Sequence, residues 1–159
     1  AVAKRVREAY GAGFPDADFA VWSRTQSNAT ALAADFPGMR VIDDLAAGVR
    51  AADIVICATM STDPILRGDW LQAGQHIDLI GAYRPDMREA DDQALVRSRI
   101  FVDSFATTLE HIGELKQPLA RGVIDRSAVI ADFYDPDRFQ RRSDDEITLF
   151  KNGGGAHWI

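Results

Sequence analysis

Hydrophobic residues in this chain occur in two patterns. Short solid runs alternate with stretches in which apolar positions recur every three or four residues. The solid runs are Phe19-Ala-Val-Trp22, Met39-Arg-Val-Ile42, Asp53-Ile-Val-Ile-Cys57, Gln75 to Ile80 and Ile100-Phe-Val102. Runs this short and this rich in β-branched residues predict buried strands. Val2, Val6 and Tyr10 form one stripe with Lys4, Arg5 and Arg7 facing away, which predicts a helix over residues 2–10 stopped by Gly11-Ala-Gly13. Further helices are expected over residues 28–36, ended by Pro37-Gly38, and from the Asp43-Asp44 cap to about residue 51. Others are expected over residues 88–96, 107–115 and 127–133, with Ile147-Thr-Leu-Phe150 as a short apolar element before Gly153-Gly-Gly155. This alternation predicts an α/β protein with a Rossmann-like, doubly wound parallel sheet.

A sheet of that kind opens with a strand, a Gly-rich phosphate loop and a helix whose positive end holds a pyrophosphate. Only the helix is found here, and Gly11-Ala-Gly13 follows it instead of preceding it. The first strand and the Gly-rich loop are therefore expected in sequence upstream of this chain. Loops at the carboxyl ends of parallel strands form the ligand crevice. Three runs end there in small or polar residues: Asp53 to Thr59, Ile77 to Tyr83 and Ile100 to Ser104. If the first helix is the pyrophosphate helix, Ser23-Arg24-Thr25 ends the second strand and faces the adenosine ribose. A guanidinium with hydroxyls, and no acid, favours a 2′-phosphate and hence NADP(H), with NAD(H) still possible. The alternative is that Arg24 and Thr25 open a helix with Thr25 as its cap.

A length of 159 residues at 47% hydrophobic content suits one compact domain. The net charge of -6 and the lack of a dense Lys/Arg cluster argue against nucleic acid or an anionic membrane as partner. Cys57, the single cysteine, lies in an apolar run, which excludes an intrachain disulfide and fits a buried thiol in a reducing, cytoplasmic setting. No apolar run approaches the roughly 20 residues of a membrane helix. His76, His111 and His157 are too dispersed for metal-ligand spacing, so no metal is expected.

Several tracts, taken in order, carry a family resemblance. They are Trp22-Ser-Arg-Thr25, Ala52 to Thr59, Gly74 to Ala82, Arg84-Pro-Asp-Met-Arg-Glu89, Val102-Asp-Ser104 and Arg142 to Lys151. Together they resemble the ornithine cyclodeaminase and mu-crystallin family. The resemblance implies a homodimer with a nicotinamide-binding domain, here residues 1–142, and a separate substrate and dimerisation domain. Residues 143–159 would return toward that second domain. It also implies chemistry through an imine beside a carboxylate. The cyclodeaminases carry an acid shortly after the Ile-Gly pair, where this chain has Tyr83. A phenol that ordinarily titrates near 10 is a poor carboxylate substitute, which counts against ornithine cyclisation. Gly81-Ala-Tyr-Arg-Pro-Asp-Met-Arg-Glu89 is closer to the family's cyclic-imine reductases. The expectation is an NADPH-dependent reductase of pyrroline-2-carboxylate or piperideine-2-carboxylate. An NAD-dependent ornithine cyclodeaminase and a crystallin-like NADPH-binding protein with little turnover are the alternatives.

From the resemblance, Ala58, Thr59 and Met60 contact the dinucleotide, Gly81 lets the backbone approach the nicotinamide, and Lys151 lies on the segment returning to the cofactor. Tyr83 is a candidate proton donor or pocket wall. His111 stands near a position where related proteins have an acid facing the ligand, and a histidine there suits proton transfer near neutral pH. Arg84 and Arg88 are alternatives for gripping a substrate carboxylate, against a reading as salt-bridge residues with neighbouring acids. Glu89, Asp91 and Asp92 are assigned to the positive end of a helix.

Overall fold

A computed structural model describes residues 2–153. The chain divides into two compact units, residues 1–51 and 52–159. The first holds α1 (Val2–Gly13), β1 (Ala20–Val21), α2 (Gln26–Ala34), β2 (Arg40–Val41) and α3 (Leu45–Ala51). β1 and β2 pair in parallel, Ala20 opposite Arg40 and Val21 opposite Val41. α1 does not stop at Gly11. It continues through Gly13, because neither glycine takes a left-handed conformation and the next residue but one, Pro15, is what ends the turn. The Arg7 guanidinium stacks 3.6 Å from the centre of the Phe19 ring and 5.2 Å from that of Phe36. α2 ends as expected before Pro37-Gly38, where Gly38 adopts φ 87°. α3 is capped by Asp44, whose carboxylate accepts the Ala47 N–H at 3.0 Å.

The second unit is built on a five-stranded, wholly parallel sheet. Its strands are β3 (Ile54–Cys57), β4 (His76–Leu79), β5 (Arg99–Val102), β6 (Val129–Ala131) and β7 (Thr148–Lys151), in the spatial order β3-β4-β7-β5-β6. The helices are α4 (Asp92–Val96), α5 (Phe105–His111) and α6 (Gly113–Ala120). Ile77, Leu79, Ile100, Val102 and Leu149 are buried in the sheet, which is the core of this unit. The segments at β3, β4 and β5 thus became strands as expected, β4 with alternating polar and apolar residues.

Three expectations need correction. The segment 127–133 is not helical: one 3-10 turn over Arg126–Ala128 leads into β6. The helix expected from residue 88 begins only at Asp92, because Arg88 to Ala90 are drawn into other hydrogen bonds. The carbonyl of Glu89 accepts the N–H groups of Ile65 and Leu66, and Leu66 bridges to Ala90. The helix expected over 107–115 is two helices, broken at Ile112, whose backbone is extended. The short apolar element 147–150 is the middle strand of the sheet, β7, and the described residues of 143–153 lie in the same unit as residues 52–142. Among the described residues, no helix is long and apolar enough to cross a membrane.

Candidate functional site

The carboxyl ends of the five strands share one rim, and a buried charged side chain links each adjacent pair. At the β3–β4 junction the carboxylate of Glu89 is fully buried. Its Oε1 accepts the Thr59 N–H at 2.6 Å and the Thr59 hydroxyl at 2.9 Å. Its Oε2 accepts the N–H groups of Gly81 at 2.7 Å and Ala82 at 3.2 Å. At β4–β7 the ammonium of Lys151, also fully buried, donates to the Leu79 carbonyl at 3.0 Å and to that of Asn152. At β7–β5, Asp103 accepts from Gly153 N–H at 2.7 Å, Ser104 N–H at 2.8 Å and the Thr108 hydroxyl at 2.9 Å. At β5–β6, Asp132 accepts the Phe105 N–H at 3.1 Å.

Behind Glu89 stands a second buried acid. Glu114, in the first turn of α6, accepts the backbone N–H of Glu89 at 2.6 Å and that of Ala90 at 3.0 Å. Burial pushes its carboxyl up to about 7, and the neighbouring Glu89 adds to the rise while its two N–H partners oppose it. Burial also raises Glu89, against the pull of its donors and of Lys151. Lys151 is lowered by burial and supported in its charged state by Glu89 and Glu114. Burial, with Glu89 and Glu114 nearby, pushes the Cys57 thiol well above its ordinary range. The free cysteine is therefore an inert thiol at neutral pH, as its setting in an apolar run suggests.

Gly81 is required at this junction. A Cβ there would overlap the backbone of Thr59 and approach Glu89 Oε1 to 2.5 Å. The sequence placed Thr59 and Gly81 in one crevice, and the structure joins them through Glu89. Ala58 is half-buried beside them and Met60 is 70% exposed. Tyr83 is 54% exposed, with the Arg84 guanidinium 5.9 Å from its ring centre. His111, exposed, is the last residue of α5. The Gly113 N–H donates to the Arg84 carbonyl at 2.9 Å, so the loop after β4 and the α5–α6 junction lie side by side. Ala82, Met87 and Ile112 pack together beneath them. Lys151, expected to serve the cofactor, ends β7 with its amine enclosed between carbonyls rather than presented to solvent.

Ser23, Arg24 and Thr25 belong to the first unit, just beyond β1. Thr25 is the residue preceding α2, yet its side chain makes no capping bond, and its N–H donates to the Ser23 hydroxyl at 3.3 Å. Arg24 is exposed and forms no ion pair among the described residues. The salt-bridge reading of Arg84 and Arg88 agrees with the geometry. Arg84 pairs with Asp86 at 2.9 Å, and Arg88, buried, with Asp92 at 2.7 Å. His76 is held at 2.8 Å from the Thr148 hydroxyl across the β4–β7 pair. His157 lies outside the described residues.

Sequence reasoning missed Glu89 and Glu114 as site-forming groups. Glu89 is not at a helix end; Asp91 is the cap of α4, accepting the Ala94 N–H at 2.9 Å. A usable signal was present in Ile112-Gly-Glu-Leu115, where a lone acid stands among apolar residues.

A model of the ornithine cyclodeaminase/mu-crystallin family matches residues 1–156. The Delta(1)-pyrroline-2-carboxylate reductase of Paracoccus denitrificans (strain Pd 1222) is 46% identical over 164 residues, covering 98% of this chain and 52% of that protein. The Thermococcus litoralis Delta(1)-pyrroline-2-carboxylate reductase, solved in complex with NADH and L-proline, superposes with a TM-score of 0.81 at 28% identity, covering 85% of this chain and 44% of that one. An archaeal alanine dehydrogenase dimer with bound NAD gives a TM-score of 0.86 at 26% identity, over 96% of this chain and 49% of that one. The chain spans about half the length of the curated relatives it matches.

Proposed function

Because the chain belongs to the ornithine cyclodeaminase/mu-crystallin family, we propose that the whole protein reduces small cyclic imino acids of the pyrroline-2-carboxylate type with a nicotinamide cofactor. The observation that carries this over ornithine cyclisation is the state of the acids after β4. Tyr83 holds the exposed position, Asp86 is paired with Arg84, and Glu89 is buried against four donors. Among the described residues of this loop no carboxylate is left free to act as the base that cyclisation needs.

A bound nicotinamide cofactor would supply hydride to the imine carbon. The chain's own residues place it and manage the proton. Ala58, Thr59, Met60 and Gly81 form the wall beside the nicotinamide, and Lys151 acts on that wall indirectly, by joining the ends of β4 and β7. Tyr83 or His111 delivers the proton that the imine nitrogen gains, and the two stand on neighbouring segments of the rim. Ser23, Arg24 and Thr25 hold the adenosine 2′-phosphate, which makes NADPH the preferred reductant. Arg24 suits that part because it is exposed and forms no ion pair among the described residues. The working form is a homodimer, a reading supported by the archaeal alanine dehydrogenase of similar fold, which was solved as a dimer.

The test is made on the intact protein. Loss of NADPH absorbance on adding Delta(1)-pyrroline-2-carboxylate is the expected result. Ammonia release from ornithine in the presence of NAD, or tight NADPH binding with no turnover, would replace this reading with a cyclodeaminase or a binding protein.

A further inference from the structure

We propose that the cleft at the amino ends of β5, β6 and β7 is a second binding site, for a small organic carboxylate whose charge meets Arg99 and whose apolar body lies against Val96, Val123 and Ile130. The sheet is wholly parallel, so the strand beginnings share one edge just as the strand ends share the rim. Arg99 opens β5, Val129 opens β6 and Thr148 opens β7. From Arg99 to Val102 the strand advances about 10 Å at the usual rise per residue. The cleft therefore lies outside the crevice assigned to the cofactor, and the inference does not depend on that assignment.

The cleft has a volume of about 780 Å³, within the range of small-molecule sites. Val96, Val123, Ile124 and Ile130 supply apolar wall, and Val96 is 57% exposed. Arg99 stands in the same lining, with a side chain only 15% exposed. Its Nε is buried and has no hydrogen-bond partner. The one acid within ion-pair range among the described residues, Glu146, is 4.0 Å from that Nε, beyond hydrogen-bond length. Both oxygens of Glu146 are already engaged by Arg142: Oε1 accepts from its Nε at 2.7 Å and Oε2 from its backbone N–H at 2.9 Å. The Phe101 ring centre, 5.6 Å from the Arg99 guanidinium, supports the charge without supplying an acceptor in its plane. A guanidinium this deeply placed and this short of acceptors is costly, because buried polar groups are ordinarily satisfied by protein, water or a bound ion. A carboxylate entering the cleft brings two acceptors to the planar fork.

The remaining lining selects one negative charge over two. Arg97 adds a second guanidinium, which donates to the Gly68 carbonyl and forms no ion pair among the described residues. Asp125 and Asp145 line the cleft as well, and Asp125 is fixed in place by accepting the Ser127 N–H at 2.8 Å and the Ser127 hydroxyl. Two anions beside these guanidiniums disfavour a phosphate dianion and leave room for a single charge. The apolar wall, in turn, suits a carboxylate that carries a hydrocarbon body.

Calorimetric titration of the intact protein with 4-phenylbutanoate, its uncharged isostere 4-phenylbutanamide and inorganic phosphate tests the assignment. The carboxylate should bind with a Kd of about 1 mM, as its size suggests. The amide and phosphate should bind at least roughly tenfold more weakly, as loss of charge-assisted hydrogen bonds or a mismatch of charge implies. In Arg99→Gln the preference for the carboxylate over the amide should fall below about threefold. Val96→Glu, at an exposed position that the fold tolerates, adds an anion to the wall and should weaken the carboxylate at least about tenfold. A wild type that binds acid and amide alike, that prefers phosphate, or that binds no probe at about 20 mM overturns the inference. So does a preference that survives Arg99→Gln, because the carboxylate then sits elsewhere. Should that variant fail to fold, undiminished binding to Val96→Glu is the overturning result.

Discussion

Replacing Glu114 with glutamine should change how stability depends on pH more than it changes stability at any one pH. The folded carboxyl titrates at about 7 against an ordinary value of 4.5. Between those two values the native state holds more protons than the unfolded chain, so stability falls as pH rises through the window. A displacement of that size corresponds to about 3 kcal/mol lost between pH 4.5 and 7 from this group alone. Glu89, raised by burial, adds to the decline, whereas His76, lowered by burial, has the opposite slope as it loses its proton. The difference between wild type and Glu114→Gln isolates the one group. Glutamine keeps an acceptor for one of the two N–H groups and turns an amide NH2 toward the other, which costs about 1–3 kcal/mol at low pH. The variant should therefore be the less stable protein at pH 5, and the gap should close or reverse by pH 8. Urea unfolding at half-unit pH steps measures this directly. Parallel stability curves for the two proteins would refute the reasoning, because they would mean that Glu114 titrates alike in folded and unfolded chains.

Gly81→Ala should lower stability by at least about 3 kcal/mol, read from the urea midpoint, since the new methyl meets backbone and not a movable side chain. Arg24→Ala should weaken NADPH binding roughly 10- to 100-fold and leave NADH within about threefold, by fluorescence titration, as loss of charge-assisted bonds to one phosphate predicts. Equal losses for both cofactors would remove Arg24 from the 2′-phosphate. Tyr83→Phe should reduce kcat by about 100-fold with little change in KM if the phenol is the proton donor, and by less than about threefold if it only shapes the pocket. His111→Ala, assayed beside it, shows which of the two carries the proton.

The outer framework of the fold was legible because β3 and β5 carry continuous apolar runs, while β4, His76-Ile-Asp-Leu79, alternates polar and apolar residues as a half-buried strand does. β7 was not legible as a central strand for the opposite reason. Its four residues are Thr148-Leu-Phe-Lys151, and a lysine at the middle of a sheet is rare enough that the pattern reads as an edge or a tail. β6 is only three residues long, too short for alternation to be told from a helical turn. At the rim, the small residues were legible and the acids behind them were not. Thr59 and Gly81 stand at the ends of visible runs, so the crevice rule finds them. Glu89 follows Asp86 and Arg88 and precedes two aspartates, which makes it look like one more member of a solvated helix start. Only the fold shows that its N–H is held by Glu114, which draws it out of the helix and under the strands.

The buried charges of the rim are better understood as registration than as stabilisation. Removing a carboxylate or an ammonium from water costs several kcal/mol, and pairing them inside a protein seldom returns more than that. The core itself does not need them, since Ile77, Leu79, Ile100 and Leu149 fill it with apolar contacts. What Glu89, Lys151, Asp103 and Asp132 share is position, one at each junction where two neighbouring strands come to their carboxyl ends. Near the strand ends the chain turns away, and a neutral amide divides its capacity between donors and acceptors, so it matches a cluster of like peptide groups less well than a carboxylate or an ammonium. A carboxylate with several acceptor sites, or an ammonium with three donors, holds such a cluster without a partner of its own kind. The rim is thus fixed at the place where a parallel sheet keeps its ligand crevice, and it is held in one arrangement at an expense in stability that the pH profile of Glu114 makes measurable.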